Sequence, residues 1–334
     1  MLNGAGVEVV RAGVVEATHT VHAVVTDRHG NVLASVGSPE LECYLRSAAK
    51  PLQALPLVEE GVDARFGFSE EELALCCASH QSEQAHLDGV RSILSKAGLS
   101  DSDLRCGPHI PYDRAQTIAI LREGRPLEAI HNNCSGKHAG MAALAKAMGW
   151  PVADYHLIDH PLQQRMLHEV SRWSGRSPDS IKIGVDGCGV ACFGLRVREM
   201  ATAFARFAAA AGEGGGAGRI VAAMTAHPFM VGGTGRLCTD AMTHGRGRVF
   251  LKTGAEGTYC GGVPERGWGF AVKVGDGAVR AADVAMVRVL ECLDVLDSDA
   301  AEALEEQGQP KLRNTLDDVV GEVRANFRLD LARS

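Results

Sequence analysis

Residues 46–50 read Arg46-Ser47-Ala48-Ala49-Lys50, and far downstream Val249-Phe250-Leu251 runs into Lys252-Thr253-Gly254. The first stretch opens a helix just after N-terminal strands. The second closes a strand near the C-terminus, so the two imply a sheet built from both ends of the chain. On a helix Ser47 and Lys50, three apart, share one face and can touch. A hydroxyl beside an amine is the minimal set for a serine nucleophile with a lysine base, and S-x-x-K with K-T-G is a known motif pair of serine acyl-transfer enzymes. Seventeen serines and eight lysines give roughly 0.4 S-x-x-K matches by chance, so the weight rests on the pairing. It points to an amide or ester hydrolase.

Composition supports a special use of lysine. The chain has eight lysines against twenty-six arginines, so Arg serves wherever a positive charge is all that is needed. A buried lysine can lose its proton near neutral pH, and arginine cannot. Lys50, Lys137 and Lys252 all stand in short Ser- or Gly-rich motifs. The 334 residues suffice for one large domain or two modest ones. A net charge of −7 and a pI near 6.0 argue against nucleic acid or an anionic membrane as partner. Met1-Leu2-Asn3-Gly4 lacks the basic and apolar regions of a signal peptide, and no apolar run approaches a membrane span. Ten cysteines then read as free thiols in a reducing cytoplasm.

Along the chain, His22–Thr26 and Val32–Val36 flank Asp27-Arg28-His29-Gly30-Asn31, a hairpin signal. A helix is expected from Ser47 to Glu60, with Pro51 tolerated in its first turn and Pro56 bending it. Helices follow at about 70–78, 84–97, 114–123, 138–148, 161–174 and 199–211, and 213–218 reads as a Gly-rich surface loop. Strands return at 248–253, 256–263 and 268–274, then a helix at about 281–296. Strands at both ends with helices between predict an α/β sandwich with a helical subdomain.

Residues 131–140, His131-Asn132-Asn133-Cys134-Ser135-Gly136-Lys137-His138-Ala139-Gly140, form a polar, small-residue run into a helix. A phosphate loop would need Gly at 131 and Ser or Thr at 138, and histidine occupies both. Asp186-Gly187-Cys188-Gly189 is a tight turn presenting an acid and a thiol. Cys134 and Cys188 are candidate zinc ligands with an incomplete shell, or else two unconnected small residues in turns. Ser79, in Ala78-Ser79-His80-Gln81-Ser82, is a second catalytic hydroxyl or a cap. Gly232-Gly233-Thr234-Gly235-Arg236 reads as a structural loop.

In combination and in order, C-Y-L-R-S-A-A-K-P (43–51), A-S-H (78–80), H-N-N-C-S-G-K-H (131–138), D-G-C-G (186–189), G-G-T-G-R (232–236) and L-K-T-G-A-E-G (251–257) resemble the Rhizobium etli-type, or class 3, L-asparaginases across essentially the whole chain. The resemblance implies an α/β, serine β-lactamase/glutaminase-like sandwich whose mainly antiparallel sheet comes from N- and C-terminal strands, with a helical subdomain. It implies a single asparaginase domain over 1–334, sheet-forming at about 1–60 and 245–334 and helical at about 61–244. It also implies a homodimer that hydrolyses L-asparagine to L-aspartate and ammonia. The family's two Ser-Lys pairs fall on Ser47 with Lys50 and on Ser79 with Lys252, and its zinc site on Cys134, Lys137 and Cys188. Arg46, His138 and Asp186 adjoin these positions and would line the substrate pocket.

The implied chemistry is attack by Ser47 on the side-chain amide, with neutral Lys50 taking its proton. Ser79 and Lys252 relay a proton to the leaving ammonia, and zinc orients loops and substrate. A glutaminase or other amidase of the same fold differs only in pocket length. A penicillin-recognising enzyme would need a Ser-x-Asn or Tyr-x-Asn motif between the lysine motifs, and none is convincingly placed. A non-catalytic, zinc-stabilised binding protein would need no Ser-Lys pairs.

Overall fold

The computed structural model describes residues 6–124 and 126–331. The chain divides into two compact units. One comprises the residues up to Ala48, Leu195–Gly212 and the residues from Asp240 onward. The other comprises Ala49–Gly194 and Glu213–Thr239.

The first unit is built on an antiparallel sheet whose strands run, side by side, Lys311–Arg313, Val319–Ala325, Gly6–Arg11, Val14–Thr26, Trp268–Val274, Thr258–Val263 and Phe250–Gly254. Val32–Val36 pairs with the end of Val14–Thr26 across the expected hairpin turn, where Gly30 takes a φ of 86°. The N-terminal strands lie side by side between C-terminal strands in one sheet, so both ends of the chain build it as the sequence implied. Adjacent residues Val24 and Val25 point to opposite faces, and both are fully buried. Both faces of the sheet are therefore covered. Close packing comes from absent side chains: a Cβ on Gly269 would lie 2.1 Å from the Ala205 nitrogen and 2.2 Å from the Ala201 oxygen of the helix Val197–Glu213.

The second unit is mainly helical. Its helices include Lys50–Glu59, Glu70–Cys76, Gln84–Lys96, Arg114–Arg122, Ser135–Ala147 and Pro161–Ser174. These agree with the expected helices to within a few residues, except that Ser135–Ala147 starts three residues early and takes Lys137 and His138 into its first turn. The expected loop at 213–218 is a correction. A helix, Gly215–Ala226, begins there, and Gly214 (φ 97°) and Gly215 (φ 64°) supply the reversal that precedes it. Glycines that look like a linker are here a tight helix junction. The hairpin of Lys182–Val185 with Ala191–Arg196 was also not anticipated.

The helix Ser135–Ala147 lies at the centre of its unit, with every residue from Ser135 to Ala145 buried. A Cβ on Gly136 would sit 2.3 Å from the Leu75 carbonyl oxygen, and one on Gly140 2.8 Å from Cys76 Sγ. Four apart, these glycines share one helix face and let it press onto the end of Glu70–Cys76. That contact brings Ala78 and Ser79 beside Cys134. Gly136→Ala should therefore lower the urea midpoint by the equivalent of about 1–3 kcal/mol, since the obstacle is backbone and cannot swing aside. An unchanged midpoint would show that the helix can shift freely.

Candidate active site

Ser47 and Lys50 stand on the turn that joins the two units, whose boundary falls after Ala48. The first turn is 3₁₀ (Arg46–Ala49) and becomes α at Lys50. Arg46 has a φ of 50°, a conformation costing roughly 1–3 kcal/mol for a residue other than glycine. Such strain, directly before the candidate nucleophile, marks a backbone held by its surroundings. One support is the K-T-G strand. A Cβ on Gly254 would fall 2.8 Å from the Leu45 oxygen and 3.3 Å from the Ala48 nitrogen, so only glycine lets the strand meet the turn bearing Ser47. On the same strand Lys252 is fully buried, and its Nζ donates to the Thr253 carbonyl at 2.9 Å.

In the helical unit the predicted residues converge. Lys50, 1% exposed, donates from Nζ to Ser79 Oγ at 2.9 Å, to Cys134 Sγ at 3.2 Å and to the Ala78 carbonyl. These three partners hold the amine in place. Ser79 is itself anchored, its amide donating to the Val231 carbonyl at 2.9 Å.

Next to this lies a sulfur pair. Cys134 and Cys188 are hydrogen bonded to each other, and Lys137 Nζ donates to Cys188 Sγ at 3.0 Å. The hydrogen bond from Cys134, then the positive charge of Lys137, draw Cys188 down to about 5 against burial. Cys134 is pushed up to about 12 by its bond to Cys188 and by burial. One proton is shared, and Cys188 is the thiolate. Lys137 is raised above the ordinary lysine range because the attraction of Cys188 and Cys134 outweighs its desolvation. Asp186 lies in the neighbouring turn, half-buried, and its charge reaches both Lys137 and Cys188. Asn132, which sequence reading passed over, shapes this loop: Oδ1 accepts from the Cys134 amide at 2.9 Å, and Nδ2 donates to the Cys106 and Gly107 carbonyls.

His138 is fully buried, with Nδ1 2.7 Å from the Tyr155 hydroxyl. Burial, followed by the charge of Lys137, keeps it well below the ordinary histidine range, so the ring is neutral. Ser79, Lys50, Cys134, Cys188, Lys137 and His138 thus gather in one unit, while Ser47, Arg46 and Lys252 belong to the other. No cluster of three or more His, Cys, Asp or Glu side chains is arranged to hold a metal ion among the described residues. The two sulfurs are donors of the kind zinc accepts, but the third donor would have to be Lys137, an amine outside the usual zinc ligands and able to bind only after losing a proton.

Comparison with known proteins identifies the class. The chain belongs to the L-asparaginase II family, whose model matches residues 7–325, nearly its whole length. Membership makes it an asparaginase-type amidohydrolase, acting on a small molecule. No curated protein matches the chain. Among solved structures it is similar to Mglu, at 16% identity over 84% of this chain and 68% of that one, with a TM-score of 0.36. It is also similar to a beta-lactamase from Mycobacterium bovis, at 14% identity over 86% and 95%, with a TM-score of 0.33. Both likenesses are too distant to bear on the chemistry. No helix among the described residues is long and apolar enough to cross a membrane.

The shared proton gives a direct test. In metal-free protein, thiolate absorbance at 240 nm should rise with a midpoint near pH 5, and Cys188→Ser should remove that step. A first ionisation near the ordinary thiol value would show that the pair is not held together.

Proposed function

We propose that the chain is an L-asparaginase of the Rhizobium etli type, hydrolysing L-asparagine to L-aspartate and ammonia by serine acyl transfer. The observation that carries this reading is Lys50 at the start of its helix. It is three residues from Ser47 in sequence, and its Nζ is 2.9 Å from the second candidate hydroxyl, Ser79. Family membership supplies the substrate class.

Ser47 Oγ attacks the side-chain amide carbon, and Lys50, in its neutral form, takes the hydroxyl proton. The proton moves through Ser79, with Lys252 as the second lysine of the set, to the departing nitrogen, which leaves as ammonia. Water then attacks the ester, giving its proton back through the same groups and freeing L-aspartate. The Ala48 amide is already donated to the Leu45 carbonyl at 3.1 Å, so the Ser47 amide is the backbone candidate for stabilising the oxyanion. Arg46, His138 and Asp186 are the proposed substrate contacts.

Zinc belongs to the same proposal, with Cys134, Lys137 and Cys188 as the residues that would hold it. When bound, it would supply a fixed positive centre that ties the two cysteine loops and orients substrate, the thiolates leaving too little charge to activate water. Binding would displace protons from Lys137 and Cys134. A homodimer and a cytoplasmic setting complete the reading; all ten cysteines are unbridged, which suits a reducing compartment.

Purified protein should release ammonia from L-asparagine at neutral pH, with L-glutamine measured alongside. Ser47→Ala should cut kcat by about 10³-fold or more. Equal release by Ser47→Ala would remove Ser47 as nucleophile, and release from glutamine alone would replace the substrate. Chelation of zinc-loaded enzyme should mainly raise KM; a fall in kcat alone would assign the metal to the chemical step instead.

A further inference from the structure

Tyr155 has no exposed surface, and its hydroxyl touches two partners: the Arg105 amide, which donates to it at 3.0 Å, and His138 Nδ1 at 2.7 Å. The oxygen therefore accepts from Arg105, and its single hydrogen has one acceptor available, Nδ1 of His138. Were Nδ1 to carry the hydrogen instead, the hydroxyl would accept twice, and both its own hydrogen and the bare Nε2 would be buried without a partner, two unpaired groups against one. The network assigns His138 as the Nε2–H tautomer. Both partners are held in turn. Arg105 is pinned by its side chain to the Ala153 and Ser102 carbonyls at 2.8 and 2.9 Å, and the Tyr155 carbonyl accepts from buried Gln163 Nε2 at 2.8 Å.

The consequence falls on the other nitrogen. His138 Nε2 is buried and has no hydrogen-bond partner. An orphaned donor of this kind calls for a ligand, and His138 lies one residue from Lys137, beside the lysine and thiol cluster. We propose that Tyr155 is a positioning residue for the reaction: it locks His138 in the Nε2–H form, so that one fixed N–H donor receives a carboxylate or amide oxygen of the bound substrate. The ligand half of this inference rests on the proposed asparaginase activity; the tautomer half does not.

The test uses ¹⁵N-histidine-labelled enzyme, with His138 assigned by the signal missing in His138→Gln. His138 should show a protonated Nε2 and a bare Nδ1, and adding L-aspartate, the reaction product, should shift the Nε2–H resonance. Tyr155→Phe should mix the tautomers and raise KM for L-asparagine about tenfold, with kcat changed less than about twofold. In a His138→Gln background, where the amide keeps a donor near the Nε2 position without help from Tyr155, the same change should raise KM less than about twofold. A protonated Nδ1 in the wild type would overturn the tautomer. No shift at saturating L-aspartate would overturn the ligand contact. An equal penalty for Tyr155→Phe in both backgrounds would make the tyrosine merely structural. A wild type inert toward both amides would defeat the functional reading, while the nitrogen shifts, which need no turnover, would still decide the tautomer.

Discussion

A buried amine must be given hydrogen-bond partners, and the helical unit is arranged around that demand at Lys50. Its Nζ is satisfied by the Ala78 carbonyl, Ser79 Oγ and Cys134 Sγ, groups from two separate stretches of chain. Removing any one would leave this buried amine short of a partner, at a cost of about 1–3 kcal/mol. The end of Glu70–Cys76 and the start of Ser135–Ala147 must therefore meet closely, and Gly136 and Gly140 are what permit it. Helix packing and site chemistry are one constraint here.

The same lysine joins two kinds of chemistry. On one side stands a hydroxyl, on the other a thiol that shares its proton with Cys188, which Lys137 in turn neutralises. Cys188 faces Lys137, and Cys134 lies between Cys188 and Lys50, so one shared proton sets the charge balance of four buried ionisable side chains. A metal at the sulfur pair would redistribute that balance and would be felt at Lys50 through Cys134.

Much of this was legible in the sequence because the motifs combine chemistry with local backbone rules. Lys252-Thr253-Gly254 could be read as a strand end, and the structure adds why glycine closes it: the Leu45 carbonyl leaves no room for a Cβ. The hairpin at 27–31 and the sheet from both termini followed from period and turn residues. Other features had no such signal. Lys182-Ile183-Gly184-Val185 is too short, and too broken by glycine, to register as a strand. The glycines at 214–216 carry the composition of a linker, yet the positive φ values of Gly214 and Gly215 make a helix junction. Tyr155 and Asn132 act through hydrogen bonds to residues distant in sequence, which no local pattern encodes. The shared proton of Cys134 and Cys188 likewise depends on a contact across fifty-four positions.

The central claim is that Ser47 carries the acyl group. Its most direct test is acid-quenched peptide mapping by mass spectrometry during steady-state turnover of L-asparagine. An aspartyl ester on the peptide containing Ser47, absent without substrate, is the predicted result. An adduct on Ser79 or Cys134 instead, in enzyme that is turning over, would contradict it.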